Sequence, residues 1–337
     1  MTFDVYNPYS NQSVTNDYVN IIEKTLNKLG HETQQIEKII NSGMNKKKGI
    51  VVILPGAVRL AKKAGYQKII VWFQGLSAEE SFMRNHSYLR RFILRKIEKY
   101  ALKNASFILF VSQKMKEYYE SIIGHKIDSC YIMPCFNEEI NKNSFFEPGK
   151  YDNNVFIYTG SLAAWQCFEQ TIELYSEIER KTDNCSLRLL VKDKEKAEEI
   201  IKRYGVKRYS IDFVPKERVS EDTVKAKFGF CLRSDSIVNK VATPTKLSSY
   251  ISQGVMPIYS EHLNDFHQIA KGSPNCFIYQ FDESNKESYI KRIIEACQIQ
   301  QNPEEIYSDF KERFGEYYSK SYHIEMLHMR LKDILSK

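Results

Sequence analysis

Residues 155–192 have the sequence VFIYTGSLAAWQCFEQTIELYSEIERKTDNCSLRLLVK. The runs VFIYTGS and SLRLLVK are short and apolar, as buried strands are, and FEQTIELYSEIERK between them has helical periodicity. A strand, a crossing helix and a second strand are the unit of a parallel sheet whose two faces are covered by helices. We therefore predict an α/β architecture around this segment.

The same alternation continues on both sides. Strands are predicted at TFDVYN, GIVVILPG, KIIVWFQG, SFILFVS and CYIMP before it, and at YSIDFVP, FGFCLR and VMPIYS after it. Residues 137–154 contain a Pro-Gly pair and no apolar periodicity, so they form the predicted linker. We expect two doubly wound domains that face a cleft, with ligands at the carboxyl ends of the strands. The predicted limits are 1–148, 149–315 and, for a C-terminal helix that packs back on the first domain, 316–337.

The composition favours a cytoplasmic protein. The 337 residues are enough for two ordinary domains, and no apolar run is long enough to span a bilayer. The start, MTFDVYNPYS, lacks the basic and apolar segments of a secretory signal. The seven cysteines form no C-x-x-C pair, which argues against a disulfide framework and a zinc site.

The positive charge is concentrated in the first part of the chain. Residues 1–150 hold 22 Lys and Arg against 14 Asp and Glu, whereas the net charge of the whole chain is +7. Residues 81–103 are strongly basic and carry an apolar stripe at helical spacing that includes Leu89, Phe92 and Ile93. Either this stripe packs on the core, which we favour, or the helix lies on anionic lipid at the inner face of the cell membrane. No nucleic-acid-binding signature occurs, so nucleic acid is not an expected partner.

Several catalytic motifs are absent from the sequence. It contains no P-loop, no G-x-G-x-x-G, no G-x-S-x-G, no H-E-x-x-H and no D-x-D. The seven histidines do not cluster at metal-ligand spacing. Phosphoryl transfer on a P-loop and dinucleotide oxidoreduction are therefore unsupported, and we expect no metal and no resident cofactor.

The most informative segment is 228–260, FGFCLRSDSIVNKVATPTKLSSYISQGVMPIYS. A strand ends at Arg233, a loop follows, and Thr243-Pro244-Thr245 opens a helix, with a Thr as its expected cap. Lys246 lies in the first helical turn, where the helix dipole disfavours a cation. Either an anion binds at this helix N-terminus, or the helix is an ordinary capped one whose lysine extends to solvent.

This segment resembles the C-terminal signature of GT-B glycosyltransferases, particularly the bacterial group 1, family 4-like enzymes of surface-polysaccharide assembly. NKVATPTKLSSYISQGVMPI is similar to that signature along its full length, and VWFQGLSAEESFMRN resembles a stretch of some capsule and O-antigen transferases. The resemblance implies two Rossmann-like domains and hexosyl transfer without a metal. The donor would be a nucleotide-diphosphate sugar, most simply a UDP-sugar, and the acceptor a hydroxyl of a lipid- or protein-linked glycan.

The resemblance also assigns roles to individual residues. On the donor side, the backbone at Gly160 and Ser161 would approach the donor, and Val214 and Pro215 would hold the base. The diphosphate would be bound by Arg233, Lys240, Thr243, Thr245 and Lys246. On the acceptor side, Gln74 and the pair Glu79 and Glu80 would line the site, with one Glu as general base. That pair is equally typical of acids at a helix start. Trp165 would flank the sugar or acceptor, or serve in packing.

The sequence departs from the family pattern at several points. The pattern of two glutamates separated by seven residues is replaced by Val241 and Ser249, so the donor ribose lacks its usual carboxylate. The loop after Gly160 has no cation, and NPYSNQSV replaces the glycine-rich first loop. These departures motivate an alternative, a non-catalytic subunit that binds and stabilises an active glycosyltransferase. A homo-oligomer is a further expectation.

Overall fold

The computed structural model describes residues 1–9, 13–43, 45–282 and 284–335. They form two compact units. Unit 1 contains residues 1–137, 241–243 and 319–337, and unit 2 contains residues 138–240 and 244–318. Each unit is built on a parallel sheet of six strands, which confirms the predicted α/β class. The predicted first loop, NPYSNQSV, falls partly on residues 10–12, outside the described residues.

The sheet of unit 1 has the order β2-β1-β3-β4-β5-β6, with parallel neighbours throughout. Every residue of β3 and β5 is buried, as expected for strands covered on both faces. Edge strand β2, ETQQI, was not predicted, because it lacks apolar residues at alternating positions. The strands are β1 Thr2–Tyr6, β2 Glu32–Ile36, β3 Gly49–Val52, β4 Lys68–Phe73, β5 Phe107–Phe110 and β6 Cys130–Ile132.

Helices connect these strands and cover the sheet. The C-terminal helix of the set packs against the first helix and against β6. Lys28 pairs with Glu325 there, and the Lys320 ammonium donates to Asp17 at 3.3 Å. The helices of unit 1 are α1 Ser13–Lys28, α2 Pro55–Lys63, α3 Ser77–Asn85, α4 Tyr88–Asn104, α5 Gln113–Ile123 and α14 Lys320–Leu335.

The single basic helix predicted over residues 81–103 is wrong, because two helices occupy this region. His86 adopts a left-handed conformation (φ +51°), which ends α3. Ser87 then begins α4, its hydroxyl accepting from the Arg90 backbone N–H at 3.3 Å. The apolar stripe does not pack on the core either: Leu89 is 70% exposed, Phe92 56% and Ile93 50%.

The sheet of unit 2 has the order β12-β11-β10-β7-β8-β9 and is again parallel. Its aromatic core stacks Phe156 on Phe228 and Phe230 at ring-centroid distances of 4.8 and 5.6 Å. The strands are β7 Asn154–Thr159, β8 Cys185–Leu190, β9 Tyr209–Asp212, β10 Phe228–Cys231, β11 Met256–Ser260 and β12 Phe277–Tyr279.

The helices of unit 2 include one that was predicted as a loop. Residues 237–241 carry Asn239 and Lys240 and form a short helix, α9. The helices are α6 Phe168–Lys181, α7 Lys194–Arg203, α8 Val219–Thr223, α9 Ile237–Val241, α10 Thr245–Ser252, α11 Asn264–Ala270, α12 Lys286–Gln298 and α13 Pro303–Phe314.

The predicted linker is packed onto unit 2 rather than free. It contains a 3-10 turn, Lys142–Phe146, in which Phe145 is fully buried. Lys150 is also buried, and its amine donates to the backbone carbonyls of Ser144, at 3.2 Å, and Gln253. This segment is anchored to unit 2 by isolated buried side chains and not by a periodic apolar face. Its sequence therefore resembles that of a loop.

Candidate functional site

The strand order of unit 2 reverses direction between β7 and β10. From β7 the chain continues outward to β8 and β9, whereas from β10 it continues the other way to β11 and β12. Such a switch point leaves a crevice at the carboxyl ends of the two central strands, where doubly wound sheets bind ligands. Gly160 directly follows β7, and Arg233 lies two residues after β10. Two predicted donor residues therefore lie at the switch point.

Lys246 reaches the same place from the first turn of α10. Its Nζ atom lies 3.8 Å from the centroid of the Tyr158 ring and donates to the Gln166 side-chain oxygen at 3.2 Å. A Cβ atom on Gly160 would lie 3.4 Å from this Nζ atom, and Gly160 has a φ of +136° that side chains rarely adopt. Glycine thus keeps the space between the end of β7 and the lysine open.

Arg233 and Lys246 are two neighbouring cations without an acid beside them. Arg233 is 5% exposed, and its Nη1 donates to the Leu232 carbonyl at 3.0 Å. Within the described ranges, neither cation has a carboxylate oxygen within 4.0 Å. Burial lowers the pKa of the Lys246 amine to about 7, and the positive charge of Arg233 acts in the same direction. Cations held together in this way provide a site for an anion.

The start of α10 adds further donors to this site. Pro244 is the N-cap residue, and no side chain caps the helix, so the predicted Thr cap is wrong. Thr245 is the first helical residue; the N-cap residue Pro244 offers the first turn no side-chain acceptor, and the Leu247 backbone N–H donates to the Pro244 carbonyl at 3.0 Å. An uncapped helix N-terminus attracts anions through these groups and through the helix dipole.

Unit 1 holds a cavity of about 510 Å³ at the carboxyl ends of its strands. Gln74 and Glu80 line it, together with Arg84 and Arg90. Glu80 is half-buried and pairs with Arg84 at 3.3 Å. A Cβ atom on Gly75 would lie 2.0 Å from the Glu80 Oε1 atom, so only glycine at this position allows the carboxylate to sit there. Two of the predicted acceptor-side residues thus share one polar cavity.

Glu79, in contrast, is buried and fully engaged. Its carboxylate pairs with Arg91 at 2.9 Å and with Arg95, and it accepts from the Tyr118 hydroxyl at 2.9 Å. Arg95 also pairs with buried Glu98 at 3.4 Å. This network ties α3 to α4, so the geometry gives Glu79 a positioning role and leaves Glu80 as the accessible acid.

Comparisons with solved structures find chains of the same fold. Sucrose-phosphate synthase from Thermosynechococcus elongatus aligns with a TM-score of 0.69 and 11% identity, over 100% of this chain and 99% of that one. Anabaena Alr3699/HepE, solved in complex with UDP, aligns at 0.67 and 10%, over 98% and 99%. A point mutant of S. aureus TarM, in complex with fondaparinux, α-GlcNAc-glycerol and UDP, aligns at 0.64 and 11%. That alignment covers 89% of this chain but 57% of TarM.

The chain has the GT-B fold. The fold therefore agrees with the resemblance seen in the sequence. No protein-family model matches the chain. A search of curated proteins likewise gives no match.

The remaining predicted donor residues lie at different points of this GT-B fold. Ser161 follows Gly160, and its carbonyl accepts from the Tyr158 hydroxyl at 2.7 Å. Trp165, which was predicted to flank the sugar or acceptor or to serve in packing, is half-buried in a 3-10 turn. Val214 and Pro215 follow β9, two strands away from β7.

Two further predicted diphosphate ligands already have partners. Lys240 pairs with Asp235 at 2.6 Å. Thr243 belongs to unit 1, where its hydroxyl oxygen accepts from the Cys135 backbone N–H at 2.9 Å. Of the predicted diphosphate ligands, Arg233, Lys246 and the start of α10 are therefore the groups that the structure brings together.

Glu138 was missed by the sequence analysis. Its carboxylate accepts from Ser249 at 3.4 Å, from Ser252 at 3.1 Å and from the Gln253 amide at 2.7 Å, all on or next to α10. An acid thus lies beside Ser249, the position at which the family pattern has a glutamate. The two residues are 111 positions apart in the sequence, so no local motif indicates this contact.

Helix α4 presents an exposed surface, the α4 face, made of Tyr88, Leu89, Phe92, Ile93 and Lys96. The Lys96 ammonium lies 4.5 Å from the centroid of the Phe92 ring. Large exposed apolar side chains on one helix, mixed with cations, are typical of a surface that contacts a partner. In the described ranges no helix combines the length and hydropathy required to cross a bilayer.

Proposed function

We propose that the chain is a glycosyltransferase that moves a sugar from a nucleotide-diphosphate donor to a hydroxyl of a glycan acceptor. The observation that carries this proposal is the pair of neighbouring, acid-free cations, Arg233 and Lys246, at the switch point of unit 2. A diphosphate leaving group develops negative charge as the glycosidic bond breaks, and preorganised cations stabilise such charge.

On the donor side, Arg233, Lys246 and the start of α10 would bind the diphosphate, with Thr245 as a further hydroxyl donor. The open space at Gly160 would admit the phosphates. UDP is the proposed nucleotide; HepE and TarM, which share the fold, were each solved with UDP. Because these groups supply the positive charge, we expect transfer to be metal-independent and to persist in EDTA.

On the acceptor side, the cavity of unit 1 would receive the hydroxyl. Glu80 is the proposed general base, since its carboxylate borders the cavity and the oxygens of Glu79 are occupied by Arg91, Arg95 and Tyr118. Gln74 would orient the acceptor there. A lipid- or protein-linked glycan is the proposed acceptor, and a hexose the proposed sugar.

The α4 face is the proposed site of contact with the inner face of the cell membrane. Its apolar residues are at least half exposed, and the helix carries Lys and Arg beside them. Apolar side chains enter the headgroup region while cations pair with anionic lipid, which is how amphipathic helices bind bilayers. A membrane contact agrees with a lipid-linked acceptor.

The proposal is tested by Lys246→Ala, assayed for transfer with a panel of UDP-sugars and for UDP binding by calorimetry. Lys202→Ala is the matched control, because Lys202 is exposed on α7 and pairs with Glu198, on the same helix. We expect loss of UDP binding and transfer in the first variant and wild-type behaviour in the second. Full activity of Lys246→Ala would refute the diphosphate site. UDP binding without transfer across the panel would favour the alternative, a non-catalytic partner subunit.

A further inference from the structure

We propose that Glu138 accepts hydrogen bonds from the ribose hydroxyls of the nucleoside diphosphate, and so selects ribonucleotides. This inference rests on the proposed diphosphate site at Lys246 and adds to it a residue from a segment far away in the sequence.

Lys246 and the residue that Glu138 contacts, Ser249, lie on the same helix, α10. Ser249 lies three residues after Lys246, and a helix rises by about 1.5 Å per residue, so the two lie about 4.5 Å apart along the axis. The Glu138 Oε1 atom lies 3.4 Å from the Ser249 hydroxyl. In a nucleoside diphosphate the ribose is bonded directly to the diphosphate. Residues three positions apart lie on the same face of a helix, so the ribose of a nucleoside diphosphate bound at Lys246 is within reach of Ser249 and Glu138.

The Glu138 carboxylate has hydrogen-bonding capacity left for a ligand. An ionised carboxylate accepts about four hydrogen bonds and donates none. Within the described part of the chain Glu138 receives them from Ser249, Ser252 and Gln253, and the first, at 3.4 Å, is long. Glu138 is half-buried, so a ligand can reach it. The ribose hydroxyls are donors that match this remaining capacity.

The Glu138 carboxylate and a bound diphosphate carry charges of the same sign. A carboxylate close to a diphosphate repels it unless hydrogen-bond donors lie between them. Ribose hydroxyls are such donors, and hydrogen bonds to a charged acceptor are stronger than those between neutral groups. The same carboxylate would also serve as a structural clamp that holds residues 138–141 against the end of α10. The backbone N–H of Asn141 donates to the Ser252 carbonyl at 2.9 Å in the same place. A clamp alone would not distinguish one nucleotide from another, so the two roles are separable.

The experiment compares three ligands by calorimetry: UDP, 2′,3′-dideoxy-UDP and inorganic pyrophosphate. The wild-type chain should bind UDP about tenfold more tightly than dideoxy-UDP, the size of one charged hydrogen bond. Glu138→Gln should weaken the binding of UDP, and it should not weaken the binding of dideoxy-UDP or pyrophosphate, since neither has the ribose hydroxyls. Glu139→Gln removes the same charge one residue away and should behave as wild type.

The outcomes are distinguishable. If wild-type protein binds neither UDP nor pyrophosphate, the proposed function falls, and this inference with it. If it binds UDP and dideoxy-UDP equally, the role of Glu138 is refuted while the diphosphate site stands. This comparison uses only wild-type protein, so it holds even when the variant fails to fold. Equal weakening of all three ligands in Glu138→Gln would show a clamp alone and would also refute the inference.

Discussion

The affinity for UDP should fall steeply as the pH rises above 7, because Lys246 must be protonated to bind the diphosphate. Burial lowers the pKa of this amine to about 7 in the free protein. At pH 8 the amine is then about 90% neutral. A bound diphosphate raises the pKa of the amine, because a nearby opposite charge favours the protonated form, so the amine takes up a proton on binding. We therefore expect the dissociation constant to rise about 50-fold between pH 7 and pH 9, with uptake of about 0.9 proton at pH 8.

The window of pH 7.5 to 9 isolates this lysine from the ligand. The terminal phosphate of a nucleotide loses its last proton near pH 6, so the diphosphate of UDP has about the same charge across the window. The lowered pKa of Lys246 also determines how the free energy of unfolding changes with pH. The unfolded chain holds this proton up to about pH 10.5, so the contribution of Lys246 to stability rises with pH between about 7 and 10.5.

Calorimetry in two buffers of different ionisation enthalpy measures both the affinity and the proton uptake. Lys246→Met should bind UDP weakly at every pH and take up no proton, and Lys202→Met should follow the wild type. A constant affinity of the wild-type chain between pH 7.5 and 9 would refute the reasoning. So would an unchanged pH dependence in Lys246→Met.

Three further predictions concern the other parts of the site. Glu79→Ala leaves Arg91 without its acid and Arg95 with Glu98 alone, and it should lower the free energy of unfolding by about 3 kcal/mol in denaturant titrations. Glu80→Ala removes a partly exposed pair worth less than about 1 kcal/mol and should abolish transfer. A reversed order of the two stabilities would contradict the assigned roles. Gly160→Ala should weaken UDP binding at least tenfold, because alanine rarely adopts a φ of +136° and its Cβ atom would crowd the lysine; an unchanged affinity would show that this space is not used. Phe92→Glu should reduce flotation with vesicles containing phosphatidylglycerol, and Ile299→Glu, an equally exposed apolar position on unit 2, should not; equal losses would argue against the α4 face as the lipid contact.

The sequence predicted those parts of the fold that depend on local pattern. Strands such as β3 and β5 are continuous apolar runs, and a parallel sheet buries such runs on both faces. The resemblance assigned Gly160, Arg233 and Lys246 to the donor site; each follows a strand or lies in the first turn of a helix, and the topology brings such positions together.

The sequence could not predict features that depend on what covers a surface. Periodicity in α4 shows that one side is apolar, but the structure leaves Leu89 and Phe92 exposed. The break before α4 had a local signal, since Ser87 is a good N-cap residue, yet the apolar stripe runs on from it and suggested one long helix. The contact of Glu138 with Ser249 joins residues 111 positions apart, and no pattern in a single sequence records it.

The contact of Glu138 with Ser249 also restricts how this chain can change over evolution. A glutamate introduced at position 249 alone would place two negative groups against each other, at a spot now held together by hydrogen bonds. The same change would be tolerated once residue 138 had become neutral. Each single step therefore carries a cost, a like-charge contact in one order and weaker UDP binding in the other, so we expect the two positions to change together.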